Sequence, residues 1–155
     1  MSEKIEITVN GRPTSADVEP RLLLAHYLRD VVGLKATNIG CDTTSCGACT
    51  VLLDGRPISG CLTLAALAEG HELLTVEGLG APGHLDVVQE AFLARTGFQC
   101  SYCTPGILLT TRALLAEHPD ASDDEIREYL AGNLCRCGSY VKIVDSVREA
   151  IARLR

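Results

Sequence analysis

Residues 41–55 read CDTTSCGACTVLLDG, and the fold turns on how this stretch is completed. Cys41, Cys46 and Cys49 follow one another at the spacing C-x4-C-x2-C, after which the chain becomes apolar and runs into Asp54-Gly55. Asp-Gly between two apolar arms is a strong hairpin turn. Folding back at that turn sets residue 49 opposite residue 60, which brings Cys61 within one position of facing Cys49. A fourth thiol thus returns to the loop that carries the other three. Gly40 and Gly47 suit a loop that wraps closely and aims backbone N–H groups inward.

Working outward, KIEITV (4–9) alternates as a strand should, Asn10-Gly11 is a second hairpin signal, and a short strand follows toward Val18. LLLAHYLRDVV (22–32) predicts a helix that stops near Gly33, and LLTVE (73–77) predicts a closing strand. Strands wrapped about one helix make a small α+β domain of β-grasp, ferredoxin-like type. GLGAPG (78–83) then interrupts the pattern, as a linker does. Beyond it the period becomes helical. Residues 84–96 form one helix, Thr104-Pro105 opens a second that runs to about 117, and Ser122 with Glu125 is a capping box for a third through Leu130. The last runs from about Tyr140 to Leu154, with Val141, Val144, Val147 and Ile151 on its apolar stripe. Four helices with short connections predict a compact four-helix bundle. The expected division is residues 1–78, a linker at 79–83, and residues 84–155.

The 155-residue chain is 46% hydrophobic, enough to build a core, and its net charge of −6 argues against nucleic acid and anionic membranes as partners. No apolar run approaches the length that crosses a bilayer; CLTLAALA (61–68) is among the longest. The polar, strand-like start MSEKIEITVN has none of the parts of a signal peptide, so the expected location is the cytoplasm. In a reducing compartment the eight cysteines are better explained by metal than by disulfides. They fall into two quartets: Cys41, Cys46, Cys49 and Cys61, then Cys100, Cys103, Cys135 and Cys137.

C-x4-C-x2-C with a further cysteine is the spacing of a plant-type [2Fe–2S] loop. Four-thiolate zinc sites favour paired C-x2-C knuckles and match it poorly. The second quartet, C-x2-C plus a distant C-x-C, carries less information, and zinc stays open there. Both of its pairs sit just ahead of a predicted helix. Helix N-termini present free N–H groups and a positive dipole end, which favour an anionic cluster. Arg136 is either an added cation or a solvated surface residue. His26, His71, His84 and His118 stand at no ligand spacing from any cysteine and are read as surface residues.

Taken together, NIGCDTTSCGACTVLLDG with Cys61, FQCSYCTPG and NLCRCGSY resemble the small iron–sulfur subunits of molybdenum hydroxylases, in order and over nearly the whole chain. That family includes xanthine dehydrogenases, aldehyde oxidoreductases and aerobic carbon monoxide dehydrogenases, and GCDTTSCGACTV is most similar to the carbon monoxide dehydrogenase-like branch. The resemblance implies a β-grasp domain and a helical domain, each with a [2Fe–2S] cluster. It further implies electron flow from molybdopterin in a large partner subunit, through both clusters, to FAD in a medium subunit, within a dimer of heterotrimers. Gln99 and Cys137 correspond to residues near the pterin, and the C-terminal cluster to the one nearer molybdenum.

Two positions depart from the family pattern. Ser101 stands where glycine is usual, and a side chain there conflicts with a positive φ. Gly138-Ser139 replaces the commoner Thr-Gly. Some relatives carry a twin-arginine export signal, which is missing here. Nothing in the chain supplies a nucleophile with its base, a phosphate loop or a dinucleotide fingerprint, so no catalytic residue is expected. The competing readings are a zinc-stabilised interaction module and a free-standing two-cluster ferredoxin.

Overall fold

The computed structural model describes residues 2–155. β1 (Glu3–Val9) and β2 (Arg12–Val18) pair antiparallel about Asn10-Gly11, with Glu3 opposite Val18 and Val9 opposite Arg12. Ile5, Ile7 and Val9 alternate inward from β1, which is the period a half-buried strand requires. β3 (Thr50–Leu53) and β4 (Arg56–Ser59) form the hairpin about Asp54-Gly55, and β5 (Glu72–Leu74) closes the sheet. Strand order is β2-β1-β5-β3-β4, with β5 parallel to β1 and antiparallel to β3.

The segment expected as one regular helix over 22–32 is a single α turn, α1 (Leu24–His26), which widens into a π-helical stretch at Tyr27–Val32. Side-chain bonds and a backbone bond six residues long compete with the α ladder here. The Arg29 guanidinium donates to the Thr37 carbonyl at 2.9 Å, and Leu34 N–H to the Leu28 carbonyl at 2.8 Å. Leu24, Tyr27 and Leu28 are still delivered to the sheet and Ala25 to Cys49 and Cys61, all fully buried.

LLTVE is a strand only to Leu74, and a 3-10 turn follows at Val76–Gly78. Asn10 is the reason: its side-chain oxygen accepts from Thr75 N–H at 2.8 Å and its amide donates to Thr75 Oγ1 at 3.0 Å. The polar groups of residue 75 are thereby satisfied by a side chain from the first hairpin instead of by a neighbouring strand.

Four helices follow: α2 (Val87–Arg95), α3 (Thr104–Glu117), α4 (Asp123–Tyr129) and α5 (Tyr140–Leu154). Complete capping boxes open α2 at Asp86/Gln89 and α4 at Ser122/Glu125. The stripe expected on α5 is rotated. Val141 is 74% exposed, and the buried face is Ile143, Ser146, Val147, Ala150 and Ile151. The aliphatic run alone does not show that Ile143 and Ala150 complete the stripe better than Val141 does.

α3 is buried nearly all round, at Ile107, Leu108, Leu109, Ala113, Leu114 and Leu115. A helix apolar on every side belongs between layers, and this one is. Ile107, Leu108, Leu114 and Leu115 join the helical core with Phe92, Ile126 and Val147. Leu109 and Ala113 pack on Leu52 of β3. α3 is therefore the plate that fastens the helices to the sheet.

Candidate metal centres

All eight cysteines are free thiols. In the first quartet, Cys41 and Cys46 are half-buried at the loop rim, while Cys49 and Cys61 are buried beneath. The β3–β4 hairpin sets their spacing. Thr50 lies opposite Ser59, so Cys49 faces Gly60, whose N–H donates to the Cys49 carbonyl at 3.2 Å. The loop itself is strongly bent, with Asp42, Thr44 and Gly47 all at positive φ. That curvature turns backbone donors toward sulfur. Thr43 N–H approaches Cys41 Sγ at 3.4 Å, and the N–H groups of Ala48 and Gly40 bond Cys46.

In the second quartet, Cys103 sits at the N-cap of α3, while Cys135 and Cys137 occupy the turn before α5. Cys135 is buried, Cys103 half-buried, and Cys100 and Cys137 lie at the surface. The N–H of Tyr102 bonds Cys100, and those of Ser139 and Cys137 bond Cys135. Cys135 N–H is itself taken by the Tyr140 hydroxyl at 2.9 Å. The aromatic ring at the start of α5 folds back to brace the turn.

The thiols close in twos. Cys41 contacts Cys46 and Cys49 contacts Cys61; Cys100 contacts Cys137 and Cys103 contacts Cys135. Among the described residues no three or more Cys, His, Asp or Glu side chains gather as the ligands of one ion would. Two-and-two pairing is what a two-iron cluster asks of four thiolates, whereas a tetrahedral zinc site draws all four to one point. The donor set therefore suits [2Fe–2S] clusters at both places.

Within two of these pairs, Cys41 with Cys46 and Cys103 with Cys135, the two thiols are pushed apart in acidity. Hydrogen bonds from the Thr43 hydroxyl and N–H, with Cys46, hold Cys41 down to about 6, whereas burial pushes Cys46 up. Burial, then the neighbouring Cys61, raises Cys49 to about 12. Burial, then Cys135, raises Cys103 to about 12. Burial opposes ionisation of Cys135 as well, but the Ser139 and Cys137 N–H groups and the Cys103 thiol outweigh it, and the net direction is down. The Tyr102 N–H, then Cys137, lowers Cys100. A buried thiol raised this far binds metal only by giving up its proton, which makes uptake easier as pH rises.

The two quartets are joined directly. Leu134 N–H donates to the Cys46 carbonyl at 2.9 Å, and the buried Asn133 amide donates to the Gly47 carbonyl at 3.2 Å. A second strap runs through Tyr102. Its hydroxyl donates to the Ile39 carbonyl at 2.8 Å and its own carbonyl accepts from the Asn38 amide at 2.9 Å. Residues flanking one set of thiols are thus bonded to residues flanking the other, and this contact had no signal in the spacing.

Gln99 is exposed beside the second quartet, its amide 3.4 Å from the Cys137 carbonyl. Arg136 is exposed, as are all four histidines. Ser101 stands at φ 64, the left-handed conformation in which a side chain is strained. Ser101→Gly should therefore stabilise the chain by about 1 kcal/mol, seen as a higher denaturant midpoint with unchanged slope. A lower midpoint would show that the serine side chain contributes more than its backbone costs.

Fold and thiols define a two-domain iron–sulfur protein. Residues 7–75 match the family described as 2Fe-2S iron-sulfur cluster binding domain, and residues 75–148 the [2Fe-2S] binding domain. The chain is 47% identical over 151 residues to the caffeine dehydrogenase subunit gamma of Pseudomonas sp. (strain CBB1), covering 96% of this chain and 90% of that one. It is 42% identical to the nicotinate dehydrogenase small FeS subunit of Eubacterium barkeri, covering 96% and 95%. The crystal structure of quinoline 2-oxidoreductase from Pseudomonas putida 86 superposes with a TM-score of 0.94 at 48% identity, over 98% of this chain and 94% of that chain. The protein belongs to the small iron–sulfur subunits of molybdenum hydroxylases, the electron-transfer subunits of multi-subunit oxidoreductases. Among the described residues no helix is long and apolar enough to cross a membrane.

Proposed function

We propose that Cys41, Cys46, Cys49 and Cys61 ligate one [2Fe–2S] cluster and that Cys100, Cys103, Cys135 and Cys137 ligate the second, the two forming a relay inside one subunit. Bound there, each cluster supplies one-electron redox chemistry. The chain's own residues do the rest. Cysteine thiolates hold each centre, backbone N–H groups offset its charge, and the packed sheet and helices fix its position. The carrying observation is the 2.9 Å hydrogen bond from Leu134 N–H to the Cys46 carbonyl, which links the two sets of thiols.

Electrons enter at the helical domain, where the exposed Gln99 and Cys137 face the molybdopterin of a large partner subunit, and leave from the sheet domain toward FAD in a medium subunit. Exposure of Cys100 and Cys137 supports that entry point, because a relay needs one edge open to its donor. The domains divide as 1–78 and 84–155 about a 79–83 linker. The complex is a cytoplasmic dimer of heterotrimers. Relatives named as a subunit gamma and a small FeS subunit support assembly with further chains.

Purified protein should carry about four irons with matching acid-labile sulfide, and its dithionite-reduced form should show two distinct [2Fe–2S] EPR signals. About two irons, or a colourless zinc protein, would rule the relay out.

A further inference from the structure

Tyr102 stands between Cys100 and Cys103 in sequence, yet both its side chain and its backbone reach the sheet domain. Its hydroxyl donates to the Ile39 carbonyl at 2.8 Å, and its carbonyl accepts from the Asn38 amide at 2.9 Å. Those two residues lead into Cys41. Among the described residues, 38 and 39 are hydrogen-bonded to the helical half through Tyr102 alone. The ring also crosses the approach to that thiol, since its Cε1 lies 3.8 Å from where a Cβ on Gly40 would stand.

Burial does not explain the residue type. Tyr102 is 51% exposed, and phenylalanine would supply the same ring. What tyrosine adds is one donor, and it is used on a carbonyl 63 positions away. Ser101, just before it, holds a left-handed φ of 64, a conformation that persists only where its surroundings fix it. The two bonds of Tyr102 are such a constraint. The inner side of the first quartet is tied by other groups: Leu134 and Asn133 reach Cys46 and Gly47, and α3 packs on β3, which follows Cys49. At the rim, the approach to Cys41 is tied by Tyr102. On the reading that each quartet holds a cluster, we infer that Tyr102 is a positioning residue for electron transfer between the two centres. It holds the Cys41 edge of the first quartet against the Cys100–Cys103 turn, so that ligand-bearing segments of both domains keep one spacing.

The test uses the full chain with both clusters in place. Tyr102→Phe keeps the ring and removes the donor, while Asn38→Ala removes the other bond and leaves Tyr102 untouched. Each should raise the opening of residues 38–41, read by amide exchange, about fivefold, as the loss of one hydrogen bond does. Each should also weaken the EPR spin–spin splitting between the two reduced centres and slow reduction of one by the other in rapid mixing. The content of about four irons and both reduction midpoints should stay as in the wild type. The double variant should go further than either. Faster exchange with unchanged splitting and rate would leave Tyr102 a structural strap and overturn the assignment, as would unchanged exchange. A wild-type chain with about two irons instead removes the two-cluster reading on which it stands.

Discussion

Cys135→Ala is expected to halve the iron content, from about four per chain to about two, and to erase one of the two EPR signals. Cys135 is the buried member of its quartet apart from the half-buried Cys103 beside it, and its N–H is braced by Tyr140. Without its thiolate one iron has a single protein ligand, and three thiols no longer hold the pair. The first quartet should keep its cluster, because the sheet has a core of its own in Ile5, Ile7, Tyr27, Leu28, Val51 and Leu73. The reciprocal variant Cys49→Ala should erase the other signal. Stability falls with each loss, since metal binding free energy is folding free energy for a site that the unfolded chain does not preform. Loss of both signals from either single variant would contradict two independently held centres.

The second large effect comes from a residue that binds nothing. Gly106, in the first turn of α3, lies against Gly47 in the first cysteine loop, and a methyl group at 106 would overlap the Gly47 carbonyl. Neither side yields easily. Gly47 stands at φ 68, one residue from Cys46, and a Cβ there would lie 2.5 Å from the Gly132 carbonyl oxygen. Gly106→Ala should therefore cost about 2–3 kcal/mol by overpacking, and lower the unfolding midpoint by roughly 5–10 °C in a chain of this size. It should also push the two sets of thiols apart, slowing reduction of one cluster by the other in rapid-mixing experiments. Gly132→Ala is the control, because a methyl group there meets nothing within 4 Å. Equal melting of the two variants would show that the close approach of α3 to the loop is not what joins the domains.

Much of the site is legible before any folding is considered. The register of the β3–β4 hairpin follows from Asp54-Gly55 alone, and it sets Cys49 opposite Gly60, as the turn predicts. α3, α4 and α5 begin where proline, the capping box and the cysteine turn place them, because helix starts are governed by neighbours within four residues. The misses share one cause. The π-helical stretch after α1, the early end of β5 and the rotated stripe of α5 are each decided by partners beyond the four-residue reach of a helix turn: Thr37, Asn10 and the other helices.

By itself, the order of residues determined the kind of donor, the count and spacing of thiols, and the two halves that carry them. These depend on ligand chemistry and on turns that act over a few positions. Folding in three dimensions decided how the thiols pair, that α3 seals the helices to the sheet, and that Asn133 reaches Gly47 across 86 positions of chain. It also decided that the Ser139 hydroxyl is buried without a hydrogen-bond partner. Such contacts are chosen by the packing of whole surfaces, and no local pattern carries them.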